Sequence, residues 1–261
     1  MRNRVFIAIA MAIIIITVSV ASIACAKQET KIDTSSLKTV KAGVLTVGSD
    51  TTYPPMEYKE GDKIVGFDFD LAQAIADKIG FKLDYQTSAW DGIFPALIAH
   101  KFDMVMSAVT ITDDRKKEMN FSTPYYKVDQ TALVKADSGI DSIAKLNGKT
   151  AGVQIGTTGE IEAKKIAGIK VNTYDDNMLA IEDLKAGRVD AVICDSIVGD
   201  VYAKDNKDVK VGFVITTNES YGIAFAKDTP ELLAAVNTAL KGLTDDGTFA
   251  KISKKWFGDR K

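Results

Sequence analysis

Residues 150–160, TAGVQIGTTGE, decide the fold class, because they join a short strand-like run to a helix through a glycine turn. Residues 150–154 have the length and apolar content of a buried β-strand. The segment after the turn is predicted to be helical, and another strand-like run follows at residues 170–174. The order strand, turn, helix, strand is typical of α/β proteins.

The same alternation extends from this stretch toward both ends of the chain. Strands are predicted at residues 44–48, 82–86, 104–106, 150–154, 170–174, 191–194 and 222–226. Helices are predicted at residues 69–79, 91–100, 178–186, 230–243 and 247–257, with Asp91 capping the second and Gly80 ending the first. This pattern predicts parallel sheets covered by helices on both faces, with ligands beyond the carboxyl ends of the strands.

The N-terminus has the composition of an export signal. Arg2 and Arg4 precede an apolar run that ends at Cys25, so residues 1–24 are predicted to be a signal peptide. The cleavage region resembles a lipoprotein signal in which Cys25 is acylated, although Ser22 stands where leucine is usual. Ordinary secretion and an uncleaved anchor are the alternatives. We expect an extracytoplasmic protein, held on a membrane through Cys25.

Composition limits the folds and functions that are expected for the rest of the chain. Residues 25–40 are polar and aperiodic and are predicted to be a flexible tether, which leaves about 220 residues for folding, enough for two lobes. Loss of two arginines with the signal changes the net charge from -2 to -4, which argues against a nucleic-acid partner. With Cys25 acylated, Cys194 has no partner for a disulfide. The sequence predicts no metal site and no cofactor.

The loop at residues 48–57 follows the first strand and carries Asp50 and Tyr53 between a strand end and two prolines. The prolines stiffen the loop, so an acid and an aromatic ring are held at the predicted ligand edge. The alternative is structural: Asp50 caps a turn and Tyr53 covers the edge of the core.

A second loop, residues 107–115, leaves a buried strand and enters a helix. It supplies hydroxyl groups, backbone donors and the guanidinium of Arg115, a combination suited to a carboxylate. The alternative is a surface ion pair between Arg115 and Asp113 or Glu118.

Two turns of the later chain add further polar groups. The amides and hydroxyls around Gly156 and Thr158 are a possible anion nest, but the turn lacks the Gly-Lys-Ser/Thr ending of a phosphate-binding loop. Asp195 ends an apolar strand, where its carboxylate either meets an ammonium group or caps the helix that follows.

Several ordered segments carry a family resemblance over residues 41–258. They are GFDFDLA (66–72), WDGIFPAL (90–97), TITDDRKK (110–117), FSTPYY (121–126), GTT (156–158), AGRVDA (186–191) and KKWFG (254–258). Together they resemble extracytoplasmic solute-binding proteins of the polar amino-acid type, the receptors of ABC importers.

The resemblance implies a two-lobed periplasmic-binding-protein fold of type II, often called a Venus flytrap, with the ligand cleft between lobes joined by two hinge crossings. Lobe 1 would comprise residues 41–133 and 221–261, and lobe 2 residues 134–220. Ligand would stabilise lobe closure, which the membrane permease senses. A free amino acid, the permease and, through it, the ATPase subunits are the implied partners of a monomer.

The resemblance also implies which residues bind the ligand. They are Asp50, Tyr53, Trp90, Ser107, Ala108, Thr110, Arg115, Gln154, Thr157, Thr158 and Asp195. Arg115 would bind the α-carboxylate of the ligand, and Asp195 would bind its α-ammonium group. Asp50 and Gln154 would bind a ligand side chain that donates hydrogen bonds. Arginine is expected first, then glutamine, lysine or histidine.

The expected function is therefore binding without catalysis. The same fold also serves extracytoplasmic dehydratases of the arogenate or prephenate type, and stand-alone sensors, so these are the alternatives. His100 is the single histidine and is expected to be structural or exposed, while Cys194 is expected to be an inert buried thiol.

Overall fold

The computed structural model describes residues 32–35 and 37–258. The predicted signal peptide and Cys25 lie outside the described residues, as does part of the predicted tether. At the end of that tether, the backbone N–H of Val40 donates to Asp103 Oδ1 at 2.7 Å, which ties the chain to the folded part. Within the described ranges, no helix has the length and apolar character needed to cross a membrane.

Short strands and helices alternate along the described chain. The strands are β1 (Val44–Ser49), β2 (Thr52–Tyr53), β3 (Glu57–Glu60), β4 (Lys63–Val65), β5 (Lys82–Thr87), β6 (Met104–Val105), β7 (Asn120–Phe121), β8 (Tyr126–Lys135), β9 (Thr150–Gln154), β10 (Lys170–Tyr174), β11 (Ala191–Asp195), β12 (Val209–Tyr221) and β13 (Ala224–Phe225). The helices are α1 (Phe67–Ile79), α2 (Trp90–Ile98), α3 (Asp113–Glu118), α4 (Thr158–Lys164), α5 (Asn177–Lys185), α6 (Ser196–Asp205), α7 (Pro230–Asp245) and α8 (Thr248–Phe257). Each strand and helix whose bounds were predicted has a counterpart within two residues at either end.

The first sheet combines strands from both ends of the folded chain, in the order β5-β1-β6-β13-β7. β1 pairs in parallel with β5 and β6, whereas β13 is antiparallel to β6 and β7. Leu45 and Val47 of β1 are fully buried because α1 and α2 both pack on this strand. The prediction of purely parallel sheets is wrong here, since the strands that return from the C-terminal part enter antiparallel.

The second sheet has the order β10-β9-β11-β8-β12. β9 is parallel to β10 and β11, and β8 is antiparallel to β11 and β12. The carboxyl ends of β9 and β11 therefore lie at one edge of the sheet, where Gln154 and Asp195 end their strands. This sheet is also mixed rather than parallel.

Two adjacent strands form the crossings between the sheets. β8 and β12 pair along their length up to Tyr126 opposite Tyr221, next to β7 and β13 of the first sheet. The pairing of β12 is interrupted between Ile215 and Glu219, where Asp129 Oδ1 accepts the backbone N–H groups of Thr217 and Asn218 at 2.8 Å each. Two strand-like crossings between two α/β units confirm the predicted two-lobed fold; the exact lobe boundaries stay a prediction.

A small sheet, β2-β3-β4, covers part of the first unit and carries Tyr53 and Glu57 opposite each other. Gly66 ends this sheet with φ 138°, and a Cβ at this glycine would lie 2.1 Å from the Met56 carbonyl oxygen. Only glycine allows this approach, which brings β3 against the start of α1. These three short strands were not predicted from the sequence.

The C-terminal helix packs on the same region. The ring of Phe257 lies 4.9 Å from that of Phe67, and Trp256 Nε1 donates to Asp70 Oδ2 at 2.6 Å. The end of the chain therefore helps to hold α1 in place.

One helix differs from its prediction in detail. α2 begins at Trp90 rather than Asp91, and Ala89 occupies its N-cap position, so Asp91 is a first-turn residue near the positive end of the helix. Ile98, which was expected to face inward, is 47% exposed because it is the last residue of the helix.

Candidate functional site

A pocket lies between the two α/β units. It is lined by Asp50, Tyr53, Glu57, Trp90, Ser107, Ala108, Thr110, Arg115, Gln154, Thr157, Thr158 and Asp195. All eleven residues predicted from the sequence are among them, and Glu57 was missed. The cavity between them has a volume of about 20 Å³, so the lining side chains are closely packed. We call the lining residues numbered 50–115 the first wall and those numbered 154–195 the second wall.

Asp50 is the acidic group of the first wall that faces the second. It is 5% exposed and follows β1, as predicted. Its Oδ2 accepts from Gln154 Nε2 at 2.8 Å, and its Oδ1 accepts from the hydroxyl of Thr52 at 2.9 Å. Burial raises the pKa of Asp50, and these two hydrogen bonds oppose the rise.

The amide of Gln154 has a fixed orientation. Its Nε2 donates to Asp50 and to the Asp175 carbonyl oxygen at 3.0 Å, while its Oε1 accepts from Asn177 Nδ2 at 3.1 Å. Because both donors and the acceptor are used in this way, the amide presents N–H groups to the carboxylate of the first wall. The turn-cap alternative for Asp50 is therefore incomplete, since its side chain also reaches across the pocket.

Arg115 lies against two aromatic rings of α2. Its Cζ is 5.3 Å from the ring centre of Trp90 and 5.0 Å from that of Phe94. One terminal nitrogen donates to the Thr110 carbonyl oxygen at 2.9 Å and the other to the Gly156 carbonyl oxygen of the second unit at 3.1 Å. The surface ion pair that was the alternative for Arg115 does not occur among the described residues. Burial lowers the pKa of Arg115 to about 10, which leaves the guanidinium charged at neutral pH.

The backbone at the start of α3 fixes Arg115. Thr112 is the N-cap residue, and its hydroxyl accepts the backbone N–H of Arg115 at 3.1 Å. This cap orients the first turn so that the guanidinium points back toward Thr110.

Asp195 is the acidic group of the second wall. Its Oδ2 accepts from the hydroxyl of Tyr53, across the pocket, at 2.6 Å and from the hydroxyl of Tyr221, while its Oδ1 accepts from the amide of Gln130. Burial raises the pKa of Asp195, against the effect of these donors. Asp195 occupies the N-cap position of α6, but its side chain makes no capping bond, so its carboxylate serves the pocket rather than the helix.

The hydroxyl groups of Thr110 and Thr158 meet where the walls join, 3.4 Å apart. Both also donate to Glu219 Oε2 of β12, at 3.3 and 2.9 Å. The anion nest suggested at Gly156 is occupied by the chain itself, since Gly156 N–H donates to Glu160 Oε2 at 2.6 Å. This amide therefore already binds a carboxylate of the chain itself, and binding of a ligand anion at this turn stays a prediction.

Ser107 and Ala108 face inward from the first wall. The hydroxyl of Ser107 donates to Glu57 Oε1 at 2.7 Å, and the backbone N–H of Ala108 donates to Asp68 Oδ2 at 2.8 Å. These donors therefore organise the wall itself. Glu57 was missed because it stands in a proline-rich loop that reads as exposed; its position two residues after the second proline was the available signal.

The remaining candidates lie outside the pocket. His100 is half-exposed, with Nε2 3.3 Å from Asp228 Oδ2. Cys194 is a buried thiol whose pKa is raised by burial, as expected of an inert side chain. Among residues 32–35 and 37–258 no group of three or more His, Cys, Asp or Glu side chains is arranged to hold a metal ion.

Comparisons with known proteins place this chain in a family. The bacterial extracellular solute-binding proteins, family 3, match residues 45–259. The arginine-binding extracellular protein ArtP of Bacillus subtilis (strain 168) is 40% identical over 226 residues, which cover 83% of this chain and 87% of ArtP.

Similar solved structures support the same family assignment. An ancestral arginine-binding protein bound to glutamine is 44% identical, with a TM-score of 0.80 over 84% of this chain and 100% of its own. The ancestral amino acid-binding protein AncCDT-1, a precursor of cyclohexadienyl dehydratase, is 43% identical, with a TM-score of 0.77 over 82% of this chain and 96% of its own. The family resemblance predicted from the sequence is thus confirmed: the chain belongs to family 3 of the bacterial extracellular solute-binding proteins, which act outside the cytoplasm.

Proposed function

We propose that this chain is the substrate-binding component of an amino-acid ABC transporter. It binds a polar or basic L-amino acid between its lobes and delivers it to the membrane permease, and through it to the ATPase subunits. Arginine is the preferred ligand, followed by glutamine, lysine and histidine. The mature protein is a monomer held on the membrane by a lipid on Cys25.

The observation that carries this proposal is the pairing of opposite charges on opposite walls. The guanidinium of Arg115 belongs to the first wall and the carboxylate of Asp195 to the second, and both line one pocket. A zwitterionic amino acid offers a carboxylate to the first and an ammonium to the second. Charge-assisted hydrogen bonds to both groups stabilise the ligand only when the walls are together.

The far end of the pocket suits a side chain that donates hydrogen bonds. Asp50 accepts from Gln154 in the structure and is available to a guanidinium or an amide. Tyr53 and Trp90 supply aromatic faces beside it. A guanidinium gains from both an acid and a flat ring, which favours arginine. The names of ArtP and of the ancestral protein point to the same ligand class.

Lobe closure is supported by three hydrogen bonds that cross the pocket. They join Asp50 to Gln154, Tyr53 to Asp195 and Arg115 to the Gly156 carbonyl oxygen. Each uses a group that the ligand would also contact. Ligand binding and closure are therefore linked through the same side chains, and the permease recognises the closed form.

A dehydratase is the second candidate, because the AncCDT-1 likeness concerns a precursor of such an enzyme. A general acid beside a lysine in the pocket would favour it. No lysine is among the residues that line the pocket. Incubation with arogenate, followed by detection of phenylalanine, tests this candidate, and we expect no product.

A thermal-shift screen against the twenty amino acids tests the proposed function, with calorimetry on each ligand that raises Tm. At a ligand concentration 100 times Kd, linkage adds about 2.7 kcal/mol to the free energy of unfolding. For a chain of this size that raises Tm by about 5–10 °C. A rise with arginine supports the proposal. No rise with any amino acid, for folded protein freed of bound ligand, would contradict it.

A further inference from the structure

Two fully buried carboxyl groups lie behind the Asp50 end of the pocket. Glu57 and Asp68 are both 0% exposed, and Glu57 lines the pocket itself. They are brought together because the backbone of Met56 packs on Gly66, with Asp68 N–H donating to the Met56 carbonyl oxygen at 2.8 Å. Two negative charges held together in a buried position would repel strongly.

Hydrogen bonds account for one oxygen of Asp68. Its Oδ2 accepts from the backbone N–H of Ala108 and from the hydroxyl of Tyr125, each at 2.8 Å. Its Oδ1 is buried and has no donor among the side chains and backbone of the other described residues. Asp68 therefore has one oxygen left for Glu57.

The hydrogen bonds to Glu57 also leave one of its oxygens without a donor. The hydroxyl of Ser107 accepts the backbone N–H of Asp50 at 2.9 Å, so its single hydrogen goes to Glu57 Oε1 at 2.7 Å. Glu57 Oε2 is buried without a donor from elsewhere in the described chain, and the two carboxyl groups are close enough for each to shift the pKa of the other. One proton between Glu57 Oε2 and Asp68 Oδ1 satisfies both remaining oxygens.

We propose that Glu57 and Asp68 share one proton and that Glu57 is a specificity-determining residue, because a cationic ligand side chain at Asp50 displaces this proton whereas a neutral one leaves it. The ligand-linked step rests on the proposed function. Its chemical balance is simple: the O–H bond of the pair breaks, and the proton passes to the buffer.

The surroundings of the pair favour retention of the proton in the absence of a cation. Burial is the largest cause that raises the pKa of Glu57 well above its usual value and that of Asp68 to about 7. The titratable groups that face the pair are Asp50, Tyr53, Tyr85 and Tyr125. None of these is a cation, so nothing in this set compensates a second negative charge.

A cationic ligand side chain also determines how arginine affinity changes with pH. A guanidinium near Asp50 and Glu57 favours the ionised pair and lowers its pKa, so binding releases a proton wherever the pH lies between the bound and free pKa values. Arginine affinity then rises with pH, by up to tenfold per pH unit for one proton. Glutamine shares the α-ammonium but has no side-chain cation, so it is the matched ligand control.

Calorimetry with arginine and with glutamine, in phosphate and in Tris, measures the proton release. For the wild type we expect the heat of arginine binding to differ between the two buffers, by the difference between their ionisation enthalpies for one proton taken up. The heat of glutamine binding should not show this difference. Glu57→Gln carries an amide hydrogen in place of the shared proton and loses the arginine-specific difference. Glu60→Gln, an exposed change on the same strand, keeps it.

Two results would overturn the proposal: arginine binding with no excess proton release over glutamine, or the same excess in the Glu57→Gln variant. A failure of every amino acid to bind would instead contradict the proposed function, and ligand-linked proton displacement with it. The shared proton has its own test in a double-mutant cycle on the ligand-free protein.

Each single variant, Glu57→Gln or Asp68→Asn, keeps one hydrogen between the two side chains, so both are expected to fold with Tm near the wild-type value at pH 7. The double variant turns two amide donors toward each other, and its Tm should fall far more than the two single changes together predict. A double variant as stable as the singles would contradict the shared proton.

The cycle also has a pH signature. The unfolded chain releases the proton above about pH 4.3, whereas the folded pair retains it, so this contribution to stability is full below that pH and is lost as the pH rises through the folded pKa. Glu57→Gln keeps its hydrogen at every pH. Its Tm relative to the wild type should therefore rise from pH 5 to pH 8.5; a constant difference would count against the proposal.

Discussion

The two walls of the pocket satisfy their polar groups in different ways. In the first wall, Glu57 accepts a hydrogen bond from Ser107 of the same wall, and Asp68 lies directly behind it. In the second wall, Gln154 and Asp195 each bond to a residue across the pocket. The surroundings of Glu57 are thus complete before the lobes meet, whereas Gln154 and Asp195 complete theirs at the meeting. Changes at Glu57 should therefore act mainly on folding, and changes at side chains that bond across the pocket, including Arg115 of the first wall, mainly on binding.

The largest expected effect lies behind the first wall. Glu57→Ala removes the buried partner of Asp68 and leaves a cavity, which should lower the free energy of unfolding by about 3 kcal/mol and Tm by about 6–12 °C. Thermal unfolding of the ligand-free protein measures this. Glu60→Ala, exposed on the same strand, should change stability by less than about 0.5 kcal/mol. Equal effects of the two variants would remove the distinction between the walls.

A smaller effect, on ligand affinity, is expected at Arg115. Arg115→Met keeps apolar contact with Trp90 and Phe94 but removes the charge for the ligand carboxylate, so affinity should fall by about 2–3 kcal/mol, roughly 30- to 200-fold. Calorimetry measures the loss. Lys116→Met, on the exposed side of the same helix, is the control. Unchanged affinity in Arg115→Met would show that this side chain belongs only to the structure of the wall.

The smallest of the three effects is expected in the second wall. Gln154→Leu removes a donor to Asp50 that forms across the pocket, and should weaken arginine binding by about 1–1.5 kcal/mol, roughly five- to tenfold. Because Asp175 and Asn177 also lose a hydrogen-bond partner, Tm without ligand should fall, but by less than in Glu57→Ala. Gln86→Leu, an exposed glutamine of β5, is the comparison. A Tm loss as large as that of Glu57→Ala would mean that the second wall is also built in advance.

The sequence predicted the pocket better than the strands around it. Gln154 and Asp195 end neighbouring parallel strands of the second sheet, so their placement at one edge follows from the strand pattern. Their meeting with Asp50, which follows a strand of the first sheet, was implied by the family resemblance. The crossings β8 and β12 were not located from periodicity, because their exposure changes along their length as they pass from one unit to the other.

Glu57 shows a second limit of what could be predicted from the sequence. Its burial depends on the contact between Met56 and Gly66, nine residues after Glu57, and on α1 behind it. Local composition cannot signal such a contact, since proline and glutamate are usually found at surfaces. The cap at Ala89 was missed for a similar reason: alanine has no side-chain acceptor, so the start of α2 is set by packing of Trp90 rather than by a capping signal.

Trp90 also has a spectroscopic consequence. The chain has two tryptophans, and Trp256 lies in α8, bonded to Asp70. Trp90 instead lies where the two walls of the pocket meet. Its Nε1 is 3.6 Å from where a Cβ of Gly156 would stand, and Arg115 lies over its ring. In a Trp256→Phe background, the intrinsic fluorescence of a single indole would therefore follow the opening and closing of the cleft in real time, without any attached dye.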